Sequence, residues 1–172
     1  MSPLSNWATL IINLKREFPR FKIIEKENSK FMNFLYVVFL MKYWNKDFMT
    51  KYTTTVYQTV YMPKNLIATN YAYQILRHEA IHMKDSKGWR ALYFFPTYLF
   101  LLPIGLCMRA YWEYRAYVES MKVQFELTNT ISSIFIDHIV SQFTTSSYLW
   151  MFPFPKTLKK LLNKEKQKII GA

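Results

Sequence analysis

Cysteine is nearly missing: Cys107 stands alone in 172 residues. No intramolecular disulfide can staple the fold, and a reducing compartment is the expected setting. Glycine is scarce too, three in all, while 51% of the chain is apolar. That balance excludes a disordered chain except at its ends. Acidic residues are outnumbered eleven to 23 by Lys and Arg, a net charge of +12. The excess favours anionic surfaces without choosing among nucleic acid, membrane headgroups and an acidic protein, and Lys-rich codon usage explains it equally well. Residues 1–18 carry no basic segment ahead of their apolar positions, so no secretory signal peptide is expected. Histidine occurs only three times, which makes the placement of two of them informative.

Those two are His78 and His82, in the run Arg77-His78-Glu79-Ala80-Ile81-His82. On a helix of about 3.6 residues per turn, side chains four apart stand on one face and can share a metal ion. This is the HExxH pattern. Zinc takes imidazole nitrogens as ligands, and at a catalytic site keeps a position open for water. Glu79, beside the first ligand, is placed to act as the general base that deprotonates that water. The plainer alternative is two surface histidines on an amphipathic helix. Against it, Tyr71, Ala72, Ile75, Leu76, Ala80 and Ile81 predict a helix buried on most sides.

Around this segment the chain reads as mostly helical. Trp7, Leu10, Ile11, Leu14 and Phe18 recur at three- and four-residue steps and predict a first helix, ended by Pro19. Residues 21–26 alternate as a short strand does. Residues 31–44, apolar almost all round, predict a helix inside the core. Residues 52–62 are β-branched and aromatic until Pro63 and read as one strand, placed to edge a cleft where an extended peptide could add its backbone. Lys84, Lys87 and Gly88 supply stop signals after the metal helix. Residues 91–108 form eighteen uncharged positions. Pro96, Thr97, Pro103 and Gly105 interrupt them, so a kinked, buried helical hairpin is expected over a membrane span. Helices are predicted over 109–127 and 132–143, a loop over 144–155, and a Lys-rich amphipathic tail marked by Leu158, Leu161, Leu162 and Ile169.

Two imidazoles do not complete a zinc site. The class with a Gly and a third His soon after the motif is excluded, because Asp85 and Gly88 stand at those positions. The other main class takes a Glu from a later helix. Glu113, Glu119 and His138 are the candidates, and Glu113 follows an apolar segment long enough for the chain to turn back.

His78-Glu79-Ala80-Ile81-His82 followed by Glu113-Tyr114-Arg115-Ala116-Tyr117 resembles the gluzincin metallopeptidases. It is most similar to the small single-domain minigluzincins and to metallopeptidases encoded in tailed-phage genomes. The resemblance spans roughly residues 47–118. It implies His78, His82 and Glu113 as ligands of Zn2+ and Glu79 as general base. Where larger gluzincins often place an Asp four residues after the ligand Glu, this chain has Tyr117, which cannot supply that charge. Tyr117 is instead a candidate for polarising the scissile carbonyl, with Tyr111 and Tyr114 as competitors and core packing as the alternative for all three.

The expectation is therefore an α+β, predominantly helical, small zincin-like domain over residues 1–155. It has a short antiparallel sheet beside the HExxH helix, and residues 156–172 form a basic tail. The expected function is a zinc metallopeptidase acting on a peptide or protein substrate, cytoplasmic in a host cell or associated with a virion. The alternative is a non-catalytic interaction protein of a phage virion that keeps the fold and contacts other virion proteins through the tail. Nucleic acid is a possible partner with no specific support.

Overall fold

The computed structural model describes residues 3–38, 43, 46–67, 69, 71–99, 104–145 and 151–171. Parts of the helix expected over 31–44, of the uncharged stretch 91–108 and of the loop over 144–155 therefore lie outside the described residues. The chain forms two compact units, Met1–Met83 and Lys84–Ala172.

The first unit begins with α1, Pro3–Glu17, whose Leu14, with Phe18 just beyond it, is buried. Strand β1, Lys22–Glu25, follows as its alternation predicts. Ser29 then starts α2, Lys30–Val38, its hydroxyl accepting from the Met32 amide at 3.2 Å and so satisfying a first-turn donor. Instead of one strand over 52–62 there are two, β2 Thr54–Val56 and β3 Thr59–Met62. A two-residue turn joins them, with Tyr57 in the left-handed region at φ 57°. The sheet is small and mixed rather than purely antiparallel: β3 is central, parallel to β1 and antiparallel to β2, with Val56 opposite Thr59. A short α3, Lys64–Ile67, precedes α4, Ala72–Asp85, the helix that carries the HExxH residues.

Along β3, Val60 and Met62 point inward while Thr59 and Tyr61 alternate outward, the period of two expected when one sheet face is buried. Those two residues, Leu14, Phe18 and Phe21 join Ala72, Leu76, Ala80 and Met83 of α4 in one core. The sheet thus lies against the HExxH helix. Within α4 only Lys84 is exposed, although Tyr71, just before it, faces solvent. Helix α2 departs from expectation. Met32 is its buried residue, and Phe31, Phe34, Val37 and Val38 are exposed. An apolar composition states a preference for burial and does not supply a surface to satisfy it.

The second unit starts at the end of α4. Gly88, at φ 62°, opens a 3-10 turn, Gly88–Arg90, which leads into α5, Ala91–Leu99, with Pro96 inside it. Helix α6, Ile104–Thr128, packs against α5. It ends where Asn129 takes a left-handed conformation, φ 53°, and returns its amide to the Phe125 carbonyl, a capping role few non-glycine residues fill as readily. Helix α7, Ser133–Thr144, is capped by Ser132, and α8, Pro155–Ile170, begins on its proline. Ile136, Ile139, Val140 and Phe143 of α7 meet Met121 of α6 and Leu158 and Leu162 of α8 in a second core. The segment expected as a basic amphipathic tail lies mostly in α8, which packs Leu158 and Leu162 into the core and leaves most of its lysines exposed. No helix among the described residues is long and apolar enough to cross a membrane. The expected burial of the hairpin is incomplete: Phe94 is buried while Leu92 and Tyr93 are exposed.

Candidate metal centre

His78 and His82 stand one helical turn apart on α4, their ring centroids separated by 5.2 Å and their planes at 76°. His82 is buried and His78 partly so. Glu113, on α6, is 2% exposed. One ligand atom from each of His78, His82 and Glu113 lies within 4.8 Å of the others. Donor atoms around tetrahedral zinc, at about 2.0–2.1 Å from the ion, stand about 3.4 Å apart. Two neutral imidazoles and one carboxylate are donors that suit zinc at a catalytic site, so the residues present fit the ion. Among the other candidates, His138 is exposed on α7 and Glu119 is partly buried further along α6, and neither is in the cluster.

Glu79 is 8% exposed, and its Oε2 accepts a hydrogen bond from the Thr55 hydroxyl at 2.7 Å. Thr55 lies on β2, an edge strand of the sheet. The strand expected to border the cleft therefore touches the expected general base through one side chain. Behind Thr55 stands a residue whose role was not legible in sequence. Lys26 follows β1 and is fully buried. Its ammonium donates to the Phe48 and Tyr52 carbonyls and to the Thr54 hydroxyl, each at 2.7 Å, and lies 3.6 Å from the centre of the Phe48 ring. Burial lowers its pKa to about 7, against the upward pull of the negative charges on Glu79 and Glu27. Lys26 thus fastens the start of β2, one residue from Thr55. Nothing in the alternation of 21–26 marks it, since a lysine at the end of a strand is ordinarily solvated.

A second fastening lies at the end of α4. Asp85, whose side chain is 1% exposed, accepts from Arg115 Nη1 at 2.6 Å. Arg115 follows Glu113 by two residues on α6 and lies 5.8 Å and 5.9 Å from the Tyr111 and Trp112 ring centres. Asp85 and Arg115 both belong to the second unit, so the pair fixes the segment that follows His82 within that unit. The spacing His78, His82, Asp85 puts all three on one helical face, a signal that could have singled out Asp85.

Tyr117, the candidate for polarising a carbonyl, packs on the second core with its ring 5.6 Å from that of Phe143. Tyr114 packs there too, its pKa pushed up to about 12 by burial and by the charge of Glu165. Tyr111 is exposed. These placements give the two core tyrosines a packing role. No family profile, no curated protein and no solved structure matches this chain, so the gluzincin resemblance rests on the motif residues alone.

Proposed function

We propose that the protein is a zinc-dependent peptide hydrolase in which His78, His82 and Glu113 hold the metal and Glu79 is the general base. The observation that carries this reading is the clustering of two imidazoles of α4 with the buried carboxylate of Glu113 from α6, beside a glutamate, Glu79, that is itself buried and held by Thr55. Zinc bound there would supply a Lewis acid, lowering the pKa of water toward about 7 and polarising a carbonyl. The chain's own part is proton handling and positioning. Glu79 takes the proton of the attacking water and passes it to the departing amide nitrogen. Thr55, donating to one carboxylate oxygen, fixes the plane in which the other is presented. An extended substrate would lie along β2, whose position at the sheet edge suits addition of a further strand.

The test is cleavage of a peptide library by the purified chain, with and without a chelator, beside Glu79→Gln. Activity is expected to vanish with chelator and to fall by about two to four orders of magnitude in the variant, which keeps its metal ligands. Cleavage that survives both treatments contradicts the proposal.

A further inference from the structure

The 3-10 turn and α5 present an unusual surface. Trp89, Leu92, Tyr93 and Pro96 recur at the three- and four-residue steps of one helical face, and all four are exposed. Exposure reaches 69% for Trp89, 76% for Leu92 and 59% for Tyr93, values seldom found together on a water-facing helix. Trp89 and Tyr93 meet edge to face at 5.6 Å, so the stripe is a formed surface rather than scattered side chains. The opposite side of α5 is anchored: Phe94 is buried with its ring 5.6 Å from that of Trp112, and Thr97 accepts from the Trp112 indole at 3.2 Å. Exposed Lys87 and Arg90 stand at the start of the stripe. From residue 86 to 112 the sequence contains no carboxylate.

We infer that this face is a docking surface for an anionic lipid bilayer, with α5 lying in the headgroup layer. Helix α5 is nine residues long, about half of what a span needs. It is long enough to seat an apolar face roughly 5–10 Å into an interface. Trp and Tyr suit that depth because one end of each ring system is apolar and the other polar. Lys87 and Arg90 supply charge complementary to acidic headgroups, within a chain of net charge +12. A second copy of the chain is the poorer occupant, since a two-fold contact through this stripe would bring it no complementary charge: residues 86–112 contain no carboxylate. The inference does not depend on peptide hydrolysis or on metal.

Co-sedimentation of the full chain with phosphatidylcholine vesicles, with or without phosphatidylglycerol, tests it. Binding is expected only where the anionic lipid is present, weakening as salt is raised. Lys87→Gln with Arg90→Gln should weaken it by about fivefold per charge, about twenty-five-fold together. Trp89→Ser with Leu92→Ser should weaken it at least about tenfold, without changing the melting temperature. Binding that is equal for both lipids, absent, or untouched by either pair overturns the inference. So does an apolar pair that alters only the oligomeric state, which would assign the stripe to a protein contact.

Discussion

The two units bury polar groups in opposite ways. The first takes a whole ammonium group into its interior and surrounds it with two carbonyls and a hydroxyl. The second is built from Met, Ile, Val, Phe and Leu drawn largely from α6, α7 and α8, and it tethers one of its deeply buried acids, Asp85, to a half-exposed arginine. A packed apolar core is tolerant of detail and contributes most of a domain's stability. A buried cation costs free energy unless every proton finds an acceptor. The difference suggests a division of labour. The second unit is maintained chiefly by hydrophobic burial, whereas the first accepts a costly arrangement around Lys26 because it fixes β2, and through Thr55 the carboxylate of Glu79.

The sharpest way to break that contrast is to delete one element from each side. Phe143→Ala removes a large side chain that is 1% exposed and should cost about 4 kcal/mol in denaturant unfolding. It leaves the hydrogen bond between Thr55 and Glu79 in place. Lys26→Met should cost somewhat less, about 3 kcal/mol, because it strands the Phe48 and Tyr52 carbonyls. At temperatures where the variant stays folded it should also reduce any peptide cleavage more than Phe143→Ala does. Equal loss of cleavage in the two variants would erase the distinction.

More gradual, and opposite in sign for the two units, is the response to alkaline pH. Lys26 has its folded pKa lowered from 10.5 to about 7 by burial. Between those values the unfolded chain holds a proton that the folded chain has released, so stability rises with pH across the window, by up to about 1 kcal/mol per unit. Tyr114 has its pKa raised from 10.0 to about 12, chiefly by burial. Above pH 10 the unfolded phenol ionises while the folded one does not, and stability falls. Denaturation followed against pH in wild type, Lys26→Met and Tyr114→Phe should remove the rise in one variant and lessen the fall in the other.

What could be foreseen followed from how local each feature is. Helix α1, strand β1 and the HExxH helix are set by periodicity within a dozen or so residues, and they form where the apolar spacing places them. The hairpin between β2 and β3 was hidden because its turn carries Tyr57 and Gln58, with none of the Asn-Gly or Asp-Gly chemistry that usually marks such turns. The exposure of Phe34 and Val37 on α2 was hidden because burial depends on neighbours distant in sequence. So, for the same reason, was Lys26, whose acceptors lie 22 to 28 residues away. Glu113 was the opposite case. A two-histidine pattern calls for a third donor, and among Glu113, Glu119 and His138 the resemblance to the gluzincins implied Glu113.

The claim beneath all of this is that three side chains share one ion, and metal content by mass spectrometry addresses it without reference to any substrate. The account predicts about one zinc per chain in the purified protein, retained in Glu79→Gln and lost in His78→Ala and in Glu113→Gln. A wild-type chain that takes up no zinc when it is supplied, or one whose zinc is indifferent to His78 and Glu113, would contradict it.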